Sequence, residues 1–206
     1  MTRLAAFALS FMASCAPVSH EAPPSRAAGF AQTLPPMRVF NTSYVVPATR
    51  PNTEIAQDFL DLSFRMESGR SVAKMTRFEG PITVRATGAT NPTMLSDLED
   101  LLERLRTEAS IDIRMVPANE QAAITVEAIP RAVLSAAVPK AACFVVPRLT
   151  SWSEFKIARR MPQVDWTTLT RRDRAAIFVP ADVAPQEARD CLHEELAQAL
   201  GPLNDL

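Results

Sequence analysis

The sequence is poor in the residues on which most enzyme signatures depend. It contains 5 glycines, 3 cysteines, 2 histidines and 1 tyrosine in 206 residues. With so few glycines it has no phosphate-binding glycine loop, which argues against nucleotide binding. One histidine, His20, lies in a proline-rich stretch near the start, and the other is His193. They do not supply the closely spaced histidine pair of a conventional zinc site.

The charge is balanced, and the G-x-S-x-G nucleophile motif is missing. There are 22 basic and 23 acidic residues, for a net charge of -1. No broad basic surface is therefore available for phosphates, and we expect no nucleic-acid partner. The motif G-x-S-x-G, which marks the serine nucleophile of many hydrolases, does not occur in the sequence. Without such a nucleophile nearby, His193 is more typical of a helix surface than of a general base.

The N-terminus carries an export signal. Arg3 precedes an apolar run at residues 4–13, long enough for a signal peptide and too short to span a bilayer. The run ends in M-A-S-C, which resembles the lipobox of bacterial lipoproteins. It predicts a signal peptide over residues 1–14 and lipidation of Cys15, so that the membrane is contacted through a lipid anchor. An ordinary cleaved secretory signal with a chance cysteine is the alternative.

The residues after Cys15 predict the location and the domain organisation. Ala16 follows the cysteine instead of an aspartate, which favours the outer membrane of a Gram-negative cell, with the protein facing the periplasm. Residues 15–36 are rich in Pro, Ala and Ser and predict a tether. Residues 37–206, roughly 170 in number, are enough for one domain with its own core.

Two cysteines remain once Cys15 is assigned to lipid. They are Cys143 and Cys191. In an oxidising periplasm such a pair favours a disulfide over a redox or metal site. This bond would connect a predicted strand to the last predicted helix.

Hydrophobic periodicity predicts alternating helices and strands. A helix is expected from a cap at Asn52 or Thr53 to a stop at Gly69, and a second from a cap at Thr93 or Ser96. The last helix is expected over Pro185–Leu200, with proline in its first turn. Strands are expected at five places: within 77–88, and at 111–116, 123–129, 143–146 and 175–179.

The last helix has the spacing of a zinc-protease motif without its histidines. In the pattern HExxHxxGxxH, two histidines one helical turn apart and a third beyond a glycine hold zinc, and the glutamate is the general base. The segment A-L-G at 199–201 aligns this chain with the pattern. The base position then falls on Glu195, and the three ligand positions fall on Glu194, Gln198 and Asn204.

The substituted positions allow two interpretations. One carboxylate and two amide oxygens suit a divalent metal such as Ca²⁺, Mg²⁺ or Mn²⁺ better than Zn²⁺, with Glu195 as the catalytic base. Alternatively, the glutamates are solvated on the helix surface, while Gln198 and Asn204 hydrogen-bond the turn after Gly201.

Three segments carry a resemblance to a known family. They are FLDLSFRMESGR at 59–70, TRFEGPITVRATG at 76–88 and CLHEELAQALGPLND at 191–205. The chain resembles a family of bacterial exported proteins and lipoproteins whose domain has no assigned function. The resemblance implies an α+β, zincin-like fold, with a short twisted mixed β-sheet packed against a backing helix and the motif-bearing helix. Since the family domain continues past the N-D pair, it also implies a C-terminally truncated member.

The functional expectation follows from the replaced histidines. We expect a zincin-like module without catalysis that binds a periplasmic protein, a peptide or a glycan through the former active-site cleft. The alternative is a divergent, peptidase-like metallohydrolase that uses Glu195 as base. Trp152, Phe155 and Trp166 either line a groove for such a ligand or, as their irregular spacing favours, form a small satellite core.

Overall fold

The computed structural model describes residues 49–204. These residues form five α-helices and a five-stranded sheet. None of the helices in this part of the chain is long and apolar enough to cross a membrane. The helices are α1 (Asn52–Phe64), α2 (Pro92–Ala109), α3 (Arg131–Ala137), α4 (Trp152–Ala158) and α5 (Pro185–Leu200). The strands are β1 (Ile82–Gly88), β2 (Ile113–Met115), β3 (Ile124–Ile129), β4 (Phe144–Pro147) and β5 (Ala175–Pro180).

The sheet is mixed and mostly parallel. Its strand order is β2-β1-β3-β5-β4. All neighbours are parallel except β4, which runs antiparallel to β5 at one edge. The expected mixed sheet packed against helices is present, but its mostly parallel pairing makes the fold α/β, which corrects the expected α+β class. Helix α2 connects the parallel neighbours β1 and β2, and α3 and α4 lie between β3 and its parallel neighbour β5 along the chain.

Helices cover both faces of the sheet. Alternate residues of β5 belong to two different clusters, with Ile177 in the first and Phe178 in the second. The first cluster packs the sheet against α2 and α5, and the second packs it against α3 and α4. Every residue of β5 is buried, which explains its continuous apolar sequence.

Strand β1 ends at a glycine for a steric reason. Gly88 has φ +77°, and a Cβ at this position would lie 2.3 Å from the carbonyl oxygen of Ala128 on β3. Backbones that approach so closely leave no room for a side chain. Gly88 therefore allows β1 and β3 to pair up to their ends.

Several predicted boundaries differ from the structure. Helix α2 is capped by Asn91, whose side chain accepts a hydrogen bond of 2.9 Å from the Met94 amide, so the predicted caps at Thr93 and Ser96 are wrong. Pro92 follows at the first helical position, where a missing N–H costs nothing. Helix α1 ends at Phe64 instead of continuing to Gly69, because the intervening residues form a tight turn.

Two of the three aromatic residues singled out in the sequence belong to the core. The Phe155 ring lies 5.2 Å from that of Trp152 and 5.5 Å from that of Phe178, centroid to centroid. Phe144 packs on the same group. This is the satellite-core arrangement for Trp152 and Phe155, and it places them on the face opposite to α5.

Candidate functional site

A cleft of about 630 Å³ runs between α5 and the edge strand β4. Residues 138–145, which comprise the start of β4 and the segment before it, form one wall. Three polar residues of α5 contribute to the opposite wall: Glu194, Glu195 and Gln198. Met66, Glu67, Ser68, Trp166 and Leu203 also line it.

A disulfide joins the two walls. Cys143 and Cys191 are bonded, with their Cα atoms 5.9 Å apart, as the sequence predicted. Cys143 directly precedes β4, and Cys191 lies one helical turn before Glu195 on α5. Both cysteines are buried in the first core cluster. The bond therefore fixes the edge strand against the helix that carries the polar residues.

Glu195 is the most unusual side chain in the cleft. It is 3 % exposed, and its Oε2 has no hydrogen-bond partner among the described residues. Burial raises the pKa of this carboxyl to about 8, and the nearby carboxylates of Glu194 and Glu67 add to the rise. A carboxylate in this position would be poorly solvated and repelled by its neighbours. Glu195 is therefore mostly a neutral acid at pH 7.

Glu194 and Gln198 border the same acid. Glu194 is exposed, and one of its carboxylate oxygens lies within 4.8 Å of one from Glu195 and of the Cys143 sulfur. That sulfur is held in the disulfide and is not a thiolate ligand. The Gln198 side-chain amide donates a hydrogen bond to Glu67, which lies in the turn after α1. A third carboxylate is thereby brought to the cleft.

Asn204 takes a different position from the other expected ligands. It is half-buried and is not among the described residues that line the cleft. Its neighbour Leu203 donates a backbone hydrogen bond of 2.8 Å to Leu62, so the segment after Gly201 packs against α1. The cleft thus brings together Glu194 and Gln198, and the metal assignment stays a prediction.

Arg172 fixes the C-terminal end of α5. Its guanidinium is 4 % exposed and donates hydrogen bonds to the carbonyls of Gln198, Ala199 and Gly201, at 2.6 Å for Ala199 and 2.7 Å for Gly201. Its Nε donates to the Thr76 hydroxyl at 3.1 Å. Cations are favoured at this end of a helix, where carbonyls lack partners. Desolvation lowers the pKa of Arg172 to about 10, so it remains charged at neutral pH.

Arg172 and Glu67 also belong to the candidate site, and no sequence pattern indicated either residue. Arg172 contacts Thr76 across 96 positions, and Glu67 contacts Gln198 across 131. Contacts over such separations leave no local periodicity or spacing. The nearest available signal was the family-like segment at 59–70, which includes Glu67.

His193 lies apart from the cleft residues. His193 is half-buried and lines a separate groove of about 250 Å³ between α2 and α5, and burial lowers its pKa. The dipeptide His193-Glu194 is thus divided between two surfaces. Cys15, with the predicted signal peptide and tether, lies outside the described residues.

A single family model covers the fold and both walls of the cleft. Residues 52–206 match the model of a family described as a protein of unknown function, DUF2927. The chain belongs to this family. The DUF2927 match includes every described helix and strand, and hence both walls of the cleft. Neither the curated proteins nor the solved structures include a match to this chain.

Proposed function

We propose that this DUF2927 protein is a lipid-anchored component of the Gram-negative envelope whose zincin-like domain binds an extended polypeptide in the cleft, without catalysis. The observation that carries the proposal is that an edge strand borders the cleft. Within residues 49–204, β4 pairs with β5 on one side and with no strand on the other. Extended peptides bind such edges by adding a strand, with backbone hydrogen bonds giving affinity.

The arrangement of sheet and helix supports the zincin-like part of the proposal. Helix α5 carries EELAQALG and packs against β4 and β5, so a sheet backs the motif-bearing helix as it does in zincins. The ligand positions of the zinc-protease pattern hold Glu194, Gln198 and Asn204 in place of histidines. A cleft beside such a helix, with no histidine at these positions, is suited to binding without zinc chemistry.

The state of the base position favours a module without catalysis. A general base must be ionised to accept a proton, whereas burial keeps Glu195 mostly protonated at pH 7. Of the three expected metal ligands, Glu194 and Gln198 line the cleft, whereas Asn204 is not among the described cleft-lining residues. Both observations weaken the hydrolase relative to the binding module.

The lipid anchor is supported by the sequence M-A-S-C at residues 12–15. If Cys15 is acylated, the wild-type protein will fractionate with the outer membrane, and Cys15→Ala will be soluble in the periplasm. Mass spectrometry of the mature N-terminus measures the lipid directly. An unmodified, soluble wild-type protein would instead support the ordinary cleaved signal.

Peptide binding can be tested with a matched pair of alanine variants. Ala142 and Ala197 are both exposed, but only Ala142 lines the cleft. We expect the full-length protein, purified from membranes in mild detergent, to bind members of a library of short capped peptides. Ala142→Trp should obstruct binding and Ala197→Trp should not. Hydrogen exchange should show protection of residues 138–145 in the complex; binding that is insensitive to Ala142→Trp would contradict the proposal.

A divergent peptidase-like hydrolase is the second candidate, because strongly shifted pKa values in clefts are typical of catalytic groups. It requires Glu195 as general base and a divalent metal held by residues such as Glu194 and Gln198. In that case the wild-type protein will hydrolyse peptides, and Glu195→Gln will abolish turnover while peptide binding remains. The binding module predicts no turnover in either form.

A further inference from the structure

We infer that the cleft selects polypeptides with a basic side chain, whose ammonium or guanidinium group pairs with the carboxyl of Glu195. This inference rests on the proposed function and specifies its ligand class. The cleft offers an extended peptide one wall of backbone, at β4, and one wall of acidic side chains, on α5. A lysine or arginine directed toward α5 fits that second wall.

The incomplete hydrogen bonding of Glu195 points to a ligand. Its side chain is 3 % exposed, and Oε2 has no partner among the described residues although the carboxyl borders an open cleft. Buried polar atoms are almost always paired, and leaving one unpaired has a free-energy cost. A donor from a bound ligand removes that cost. Lysine and arginine side chains consist only of donors at their charged ends.

The charges around Glu195 decide between a cation and other donors. Helix α5 contributes Glu194, the turn after α1 contributes Glu67, and the segment before β4 contributes Lys140. Lys140 is exposed and is the only basic residue among the described cleft-lining residues. Cys143 carries no charge because it is in the disulfide. Around Glu195, the two carboxyl groups of Glu194 and Glu67 against the one ammonium group of Lys140 favour a ligand with positive charge.

The test compares peptides that differ at one position. A positional-scanning library of short capped peptides is applied to the full-length protein in mild detergent, and the best binder is resynthesised with lysine, norleucine or glutamate at its most selective position. We expect lysine or arginine to be enriched there, and the lysine peptide to bind at least about tenfold more tightly than the norleucine peptide.

Two variants assign the effect to Glu195. Glu195→Gln is isosteric with the neutral acid and should keep the fold, and it should abolish the preference for the lysine peptide over the norleucine peptide. Asp190→Asn removes an exposed charge from the same helix outside the cleft and should retain that preference. Thermal unfolding of both variants provides the control for folding.

The other possible results distinguish a failure of this inference from a failure of the proposed function. Peptide binding without a preference for basic residues would overturn the inference and leave the proposed function standing. Failure of every peptide in the library would overturn the proposed function and the inference with it. Stoichiometric Ca²⁺, Mn²⁺ or Zn²⁺ binding that Glu195→Gln abolishes, without lysine preference, would identify a metal site and overturn the inference.

Discussion

The guanidinium of Arg172 lies over the indole ring of Trp166, 4.8 Å from the ring centroid. The same guanidinium holds the last carbonyls of α5, and Trp166 lines the cleft. A buried arginine thus connects the end of the motif-bearing helix to an aromatic wall of the site. A guanidinium can stack flat on an aromatic ring and donate several hydrogen bonds from one plane at the same time. The ammonium group of a lysine has no such plane.

Replacing Arg172 should destabilise the domain. Arg172→Met leaves the carbonyls of Ala199 and Gly201 without their donor, and we expect a loss of about 2–4 kcal/mol in the free energy of unfolding. Arg172→Lys should retain only part of the stability that the arginine provides. Urea unfolding at neutral pH measures both. The matched control is Arg171→Met, since Arg171 is exposed and should change stability by about 0.5 kcal/mol or less.

The protonation of Glu195 should make stability depend on pH. Its pKa is about 8 in the folded protein, against an ordinary value of 4.5. The folded protein therefore holds a proton that the unfolded chain has lost between these values. Stability conferred by this group is complete below about pH 4.5 and is lost as the pH rises to about 8, by up to about 1.4 kcal/mol per pH unit.

Glu195→Gln should remove this slope. The measurement is urea unfolding of the wild type and the variant at several pH values from acidic to mildly alkaline, and the difference between the two isolates the contribution of Glu195. Asp190→Asn, on the same helix, should keep the wild-type slope. Parallel curves for the wild type and Glu195→Gln would show that the carboxyl is solvated and ionised in solution.

The disulfide should contribute substantially to stability. Cys143 and Cys191 are 48 positions apart, and closing a loop of this length constrains the unfolded chain by about 4 kcal/mol in the chain-entropy model. Replacing both cysteines with alanine should reduce the free energy of unfolding by an amount of that order. Denaturant unfolding of the oxidised wild type, the reduced wild type and the double variant checks this. Similar stabilities of all three would contradict it.

A glycine pair tests the contact at the end of β1. Gly88→Ala should destabilise the domain by about 2–4 kcal/mol, because the new methyl group meets the Ala128 carbonyl at 2.3 Å in a backbone conformation with φ +77°. Gly80→Ala meets nothing within 4 Å and should be close to neutral. Thermal unfolding of both variants provides the comparison. Equal melting temperatures of the two variants would mean that the ends of β1 and β3 can move apart with little loss of stability.

Local patterns predicted the long elements well. Helix α5 begins at Pro185 and ends at Leu200 as the first-turn proline and Gly201 indicated, because these signals act on the backbone directly. The apolar stripe of α2 and the alternation in β1 were equally visible. Helices α3 and α4 were not predicted, since each has 7 residues and too few turns to show a period.

The sequence predicted which helix positions line the cleft and did not predict the burial of Glu195. Spacing placed Glu194, Glu195 and Gln198 on one part of α5, and the cysteine count predicted the disulfide. The sequence left open whether Glu195 is a base in a cleft or a solvated residue on the helix surface, and the structure buries its side chain. Burial depends on how α5 meets the sheet. That packing is set by contacts distant in sequence, including those of Arg172 and Glu67.

The covalent bond between Cys143 and Cys191 gives the cleft one end of fixed width. The Cα atoms of its two walls are held 5.9 Å apart there, so no ligand can wedge them open at that point. Accommodation of a thicker ligand falls to the other boundary, where Met66 and Trp166 lie in connecting segments. The cleft therefore has a fixed width at the disulfide and an adjustable width at the opposite end. The thickness of a ligand, as well as its charge, then determines whether it fits.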